Sequence, residues 1–308
     1  MESAPHGCPT PVLFLIHRRP QLTARSFAAI RQARPEQLMV AADGPEDDVL
    51  CQETRRLVEE GIDWPCNVQT RFSATRLGCR NAVSQALDWA FAKHERVIVL
   101  EDDCLAEPSF FCFCTELLER YQDEERVMQI CGSNLSGHAA QDGSSYYSSR
   151  FATIWGWASW RRAWKRYDVR LQVWMEQASK ARLEATCKFQ GEAAWRKEIY
   201  NSASMGTIDT WDIAWEFAQH NSNGVCLIPS VNLVSNLGWG AEATHTHDIN
   251  DARACMETCP LDFPLRHPSD LAIFDEADRS YFDRYCRRPS LRIRLRRKIG
   301  RLLRRMAR

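Results

Sequence analysis

Residues 97–111 read VIVLEDDCLAEPSFF, an apolar run that breaks into three consecutive carboxylates, Glu101, Asp102 and Asp103. Three like charges on adjacent residues repel one another unless a positive charge sits among them. A divalent cation is a common remedy: Mg²⁺ and Mn²⁺ are held by one or two carboxylates, with the oxygens of a phosphate-bearing ligand completing the shell. Acidic triplets also occur as plain solvated surface. Position separates the two cases, because a triplet at the mouth of a buried strand meets a ligand where one on a helix face meets water.

The segments upstream place the triplet at such a mouth. PVLFLI (11–16) has the character of a buried parallel strand, and QLTARSFAAIRQA (21–33) follows with helical spacing at Leu22, Phe27 and Ile30. QLMVAADG (37–44) is the second strand, and VLCQETRRLVEEG (49–61) the second helix, with Gly61 expected in a left-handed C-terminal position. CNVQTRF (66–72) is the third strand. Ala82, Val83, Ala86, Leu87, Ala90 and Phe91 then repeat as one apolar helical face, and RVIVL (96–100) is the fourth strand. Four strand-then-helix units predict an α/β fold, a doubly wound, mostly parallel sheet flanked by helices. Ligands of such sheets sit at the carboxyl ends of the strands. His17 to Arg19, Asp43 with Gly44, and Glu101 to Asp103 all fall at those ends.

Beyond Cys131 the alternation fades. GSNLSGHAAQDGSS (132–145) is loop by composition, and Trp155, Trp157, Trp160 and Trp164 crowd the stretch that follows. Such a cluster is either core packing or a platform for sugar rings and bases. The expected organisation is a ligand-binding half over 1–131, a second half of the same domain over 132–286, and a basic tail over 287–308. The chain has 308 residues, 44% hydrophobic and 26% charged, the balance of a soluble globular protein. It is formally neutral, but residues 287–308 carry eleven Lys and Arg and no acid, so the preceding residues carry −11. Leu291, Leu295, Ile299, Leu302, Leu303 and Met306 line one face of that tail. A basic amphipathic helix of this kind fits an anionic membrane surface, with a nucleic-acid or partner-binding arm as the rival. An acidic body speaks against nucleic acid. Thirteen scattered cysteines match neither a zinc motif nor a disulfide framework and suit reduced thiols. With no secretory pattern and no membrane-length apolar segment, the expected location is cytoplasmic, peripheral to the membrane through 289–308.

The succession PVLFLIHRRP, AADGP, RLGCRNAV, VIVLEDDC, IWGWASWRRAWKRYD, DTWDIAW, IPSVNLVSNLG and ATHTH resembles bacterial nucleotide-diphospho-sugar transferases of the GT-A fold. More distantly it is similar to the inverting Golgi N-acetylglucosaminyltransferase I group. The resemblance covers about residues 11–247. It implies a metal-dependent inverting glycosyltransferase using Mn²⁺ or Mg²⁺ and a nucleoside diphosphate sugar, with UDP the expected nucleotide and a glycan or glycolipid the acceptor. It further implies Asp103 as metal ligand, Asp102 at the ribose, Arg19 near the base, Asp43 at the uracil imide, and Arg80 at the border of the nucleotide site. The Trp211-Asp212 pair matches the family's Trp-Asp, with Asp212 as the base.

An acceptor hydroxyl needs a general base in a single displacement. GTIDTWDIAWEF (206–217) offers both Asp209 and Asp212, and Asp209 could equally cap the helix it precedes. His245 and His247 in ATHTH are either diphosphate or metal contacts or ordinary loop histidines. A glycosidase would need a carboxylate pair but no cation and no arginines beside a nucleotide. A nucleotidyltransferase would want a glycine-rich loop after the first strand, and HRRPQLT has no glycine. A catalytically silent, membrane-associated carbohydrate-binding protein on the same fold is the other class, and it would not need a base at 212.

Overall fold

The computed structural model describes residues 7–240 and 248–287. His245, His247 and the basic segment 289–308 lie outside the described residues. The first hundred residues fold as β1 (Val12–Ile16), α1 (Pro20–Ala33), β2 (Gln37–Ala42), α2 (Val49–Gly61), β3 (Asn67–Phe72), α3 (Cys79–Lys93) and β4 (Arg96–Glu101). Then come β5 (Cys104–Ala106), α4 (Ser109–Arg120), β6 (Val127–Cys131), β7 (Tyr146–Ser149), β8 (Trp157–Trp160) and α5 (Arg161–Trp164). The chain continues through α6 (Gln177–Thr186), α7 (Glu192–Ser204), α8 (Asp212–Asn221), β9 (Val225–Pro229), β10 (Val234–Asn236) and α9 (Asp275–Tyr281).

Eight strands form one sheet in the order β3-β2-β1-β4-β8-β6-β9-β7. The first four are mutually parallel, β8 runs antiparallel between β4 and β6, β6 and β9 are parallel, and β7 returns antiparallel on β9. The sheet is thus mostly parallel and covered on both faces. Alternation along β1 divides its side chains: Val12, Phe14 and Ile16 pack with Phe27, Ile30 and Val58 of α1 and α2, while Leu13 and Leu15 pack with Val83, Leu87 and Phe91 of α3. This period-two division explains why both helix faces read as strongly apolar.

Two sequence expectations change. Gly61 closes α2 without a positive φ; its lack of a side chain serves close packing, since a Cβ there would lie 2.6 Å from Phe27 Cε1. Trp157, Trp160 and Trp164 are core residues, and of the four crowded tryptophans only Trp155 keeps a half-exposed face. The aromatic run also hides a strand: Trp157–Trp160 is β8, inserted beside β4. At the far edge β7 is fully buried. Ile273 bridges Ser148, the Phe274 amide donates to the Ser148 carbonyl at 3.0 Å, and buried Asp278 accepts from Ser149 Oγ. All thirteen cysteines are free thiols, and among the described residues no helix is long and apolar enough to cross a membrane.

Candidate functional site

The carboxyl ends of β1, β2 and β4 open into a cleft of about 1080 Å³, walled on the far side by residues 208–216 at the start of α8. Arg19, Asp43, Asp102, Asp103, Asp209 and Asp212 all line it. The chain brings these residues together because each follows a strand or precedes a helix that points at one sheet edge. Among the described residues nine carboxylates and five arginines line the cleft, and three of the arginines are already paired, Arg18 with Asp48, Arg19 with Asp102 and Asp103, and Arg253 with Asp251.

At the end of β4, Asp102 and Asp103 are buried and share one guanidinium. Arg19 donates through Nη1 to Asp103 at 2.9 Å and through Nη2 and Nε to the two oxygens of Asp102. The His17 amide adds a bond to Asp102 at 3.0 Å. The resemblance put Arg19 near a base; in the structure its side chain serves as counter-charge to the two aspartates. One arginine does not satisfy three acids. Burial, against the pull of Arg19 and helped by Asp103, pushes the Asp102 carboxyl up to about 6. Burial, then Asp103 and Asp102, push Glu101 up to about 8.

That unmet negative charge is what fits a divalent cation here. Among the described residues no group of three His, Cys, Asp or Glu side chains converges as a ready metal cage. The fit is therefore to a cation held by a single carboxylate, with ligand oxygens supplying most of its shell. Asp103 is the candidate holder. Asn236 Nδ2 approaches its Oδ1 at 3.4 Å, and Gly238 packs so closely that a Cβ would sit 2.0 Å from Oδ2. Asn236 and Gly238 escaped sequence reasoning, since nothing in NLVSNLG marks it as a wall of a site 133 residues earlier in the chain.

Asp43 is already engaged. Its Oδ1 accepts from the Gly44 and Leu77 amides at 2.8 Å each, and its Oδ2 from the Gly78 amide at 3.1 Å. A carboxylate offers about four acceptor positions, so Oδ2 retains one toward the cleft. Arg80 stands apart from the other site candidates. It is not among the lining residues, and its guanidinium donates to the carbonyls of Ala203, at 3.2 Å, and Val169. The structure thus gives Arg80 the task of tying α3 to the second half of the chain.

Asp212 opens α8. Its Oδ1 accepts from Thr210 Oγ1 and from the Ile213 amide at 2.9 Å, while no bond to Oδ2 is found among the described residues. The residue before it, Trp211, is buried and stacks on Trp157 at 5.5 Å, which fixes the start of the helix in the core. Thr210, two residues before Asp212, is the one partner of this carboxylate that the local sequence DTWD makes visible. Asp209 does not cap α8. Its Oδ1 accepts from the Arg80 amide in the first turn of α3 at 3.2 Å. Half-exposed Trp155 and Trp239 meet edge to face at 5.8 Å on the same cleft, so one part of the aromatic cluster does present a platform.

No family model matches the chain, and no curated protein matches it. Among solved structures it is similar to a cytidylyltransferase from Leptospira borgpetersenii serovar Hardjo-bovis, at 10% identity over 66% of this chain and 73% of that one, TM-score 0.35. It is similar to HddC from Yersinia pseudotuberculosis at 10% identity over 50% and 77%, TM-score 0.33. A third likeness is to 4-diphosphocytidyl-2C-methyl-D-erythritolsynthase from Anaerococcus prevotii, at 7% identity over 71% and 88%, TM-score 0.36. Likenesses this distant do not bear on the activity.

Proposed function

We propose that the chain is a metal-dependent inverting glycosyltransferase that moves a sugar from a nucleoside diphosphate, with uridine the favoured base, onto a glycan or glycolipid hydroxyl. One observation carries this reading: a carboxylate group short of positive charge and a helix-anchored aspartate with an oxygen to spare line the same cleft. Asp103 would hold Mn²⁺ or Mg²⁺, which when bound offsets the negative charge that develops on the departing diphosphate. Asp102, fixed by Arg19 and the His17 amide, faces the ribose, and the remaining acceptor position of Asp43 suits the uracil imide N–H. Asp212 takes the proton of the acceptor hydroxyl as that oxygen bonds to the anomeric carbon and the bond from that carbon to the phosphate oxygen breaks. One displacement inverts the anomeric centre.

Nucleotidyl transfer finds less support. The link from β1 to α1 is only His17 to Arg19, it lacks glycine, and its last side chain is turned onto carboxylates. A binding protein of the same fold gives no reason for Asp212 to stand beside the acidic triplet.

The test is a set of UDP-sugars incubated with the full chain and Mn²⁺, with a chelator control. UDP release that requires the metal, and a product whose anomeric configuration by NMR is opposite to the donor's, are expected. Asp103→Ala should abolish the metal-dependent part of UDP binding while the fold persists by circular dichroism. Retained configuration, or release indifferent to the chelator, overturns the proposal.

A further inference from the structure

We propose that Asp209 is a positioning residue that locks the nucleotide side of the cleft to the loop carrying Asp212. This rests on the functional reading above. Helix α3 begins with a defect: its N-cap is Gly78, which has φ +82° and no side chain to accept the first-turn amides. An unserved helix N-terminus normally takes an oxygen from Ser, Thr, Asp or Asn at the cap position. Here the oxygen comes from Asp209, 129 residues further along, which accepts from the Arg80 amide at 3.2 Å. Gly78 is needed for this, because a Cβ there would stand 2.9 Å from Asp209 Oδ2.

The same short peptide is held from its other side by Asp43, through the Leu77 and Gly78 amides. Residues 77–80 are therefore clamped between two carboxylates, one facing the nucleotide end and one in the loop that leads into α8. Arg80 reinforces the second attachment through the Ala203 carbonyl, and Ser84 does so by meeting the Tyr167 hydroxyl at 2.7 Å. From Asp209 to Asp212 the chain is fixed by the bond to α3 and at Trp211, whose indole is buried and whose carbonyl accepts from the Tyr167 hydroxyl at 3.4 Å. Removing the first leaves Thr210 and Asp212 hinged on Trp211 alone.

The division of labour between the two aspartates follows. Asp209 has one oxygen on the Arg80 amide and the other over Gly78, whereas Asp212 keeps Oδ2 for a proton. Misplacing a reacting group by about 1 Å costs on the order of 10²-fold in rate. Since Asp209 acts through Asp212, its loss should lower kcat and leave nucleotide affinity alone.

The experiment compares Asp209→Ala and Asp209→Asn with the wild-type chain. It reads UDP release from a UDP-sugar with Mn²⁺, UDP affinity by calorimetry, and amide hydrogen exchange at residues 79–81. Asp209→Ala is expected to lose between ten- and a hundredfold in kcat, keep UDP affinity within twofold, and exchange faster at 79–81. Asp209→Asn, which retains an oxygen for the Arg80 amide, is expected to recover most of both. If Asn loses as much rate as Ala while restoring slow exchange, Asp209 is itself the base and the inference falls. Faster exchange with unchanged kcat in the alanine variant also overturns it, leaving a purely structural cap. Wild-type chain that binds UDP but releases none from any UDP-sugar sinks the functional reading instead, and the exchange comparison still reports whether the clamp exists.

Discussion

From Val12 to Glu101 strands and helices alternate, β1, β2 and β3 pairing in turn before α3 carries the chain back to lay β4 on the other side of β1, giving the run β3-β2-β1-β4. From Val127 to Pro229 chain order and sheet order part company: β8 slides between β4 and β6, and β7 ends up beyond β9. The first stretch is held by alternating aliphatic side chains. The second adds long-range polar bonds within its buried interior. Buried Gln129 accepts from Trp215 at 2.6 Å and Gln219 at 2.7 Å and donates to the Thr153 carbonyl, while fully buried Arg196 lies between Glu192 and Glu216. The contrast assigns tasks. A regular frame presents the residues at the strand ends, and an irregular, polar-stitched wall faces them with Asp212.

The comparison is tested most severely at Asp212. Asp212→Asn should cut turnover by about 10²–10⁴-fold while UDP affinity holds, because a general base acts in the transition state. Near-normal turnover would remove Asp212 as the base and leave its place at the start of α8 merely structural. Next in size is Trp215, fully buried against Trp157 and Trp164. Trp215→Ala should cost about 3–5 kcal/mol in denaturant unfolding. The transition should stay single, since one core cluster joins Leu87 and Val99 to Trp157 and Trp215. Two separated transitions would show that the stretches melt independently.

Acid sensitivity should also follow the division. Burial, with Arg196, Arg150 and Arg182 nearby, pulls His220 down to about 3, and its Nε2 pairs with Thr186 at 2.8 Å. An unfolded histidine binds a proton near pH 6.5, so the unfolded chain gains protons that the native one refuses as pH falls. The contribution of His220 is intact above about pH 6.5 and is lost toward pH 3, roughly 2 kcal/mol less at pH 5 than at pH 7. His220→Gln should flatten that slope in urea titrations, and an unchanged slope would place the acid-labile group elsewhere. The smallest effect belongs to the regular frame. Asp48 caps α2 through the Cys51 amide at 3.0 Å, and Asp48→Ala should cost about 1 kcal/mol in denaturant unfolding.

The sequence made the frame legible because its signals are local. Apolar runs and helical spacing located β1 to β4, α1 and α2 within a residue or two at each end, and the apolar face from Ala82 to Phe91 falls inside α3. The same locality placed Arg19, Asp43 and Glu101 to Asp103 on one sheet edge. What escaped depends on partners far away in the chain. Nothing near Gly78 says that Asp209 will cap its helix, nothing near Gly238 says that Asp103 will press against it, and no periodicity in WASW reveals a strand paired on both sides. Arg80 shows the same limit from the other direction: it stands in the first turn of α3, and its side chain reaches away to Val169 and Ala203.

The cover over β7 has a consequence in the order of synthesis. Edge β3 guards itself with exposed polar residues, but β7 is buried on all four positions and is sealed only when Ile273, Phe274 and Asp278 arrive. An uncovered strand edge, with its row of unpaired N–H and C=O groups, is a template for pairing with another chain. Because a ribosome delivers the chain from its amino end, every strand of the sheet exists before its seal does. The nascent protein therefore passes through an interval in which the wall of its cleft is assembled and its flank is adhesive. A chain halted at Ala272 is expected to remain in that interval and collect in the insoluble fraction, although among the described lining residues of the cleft it lacks only Tyr281.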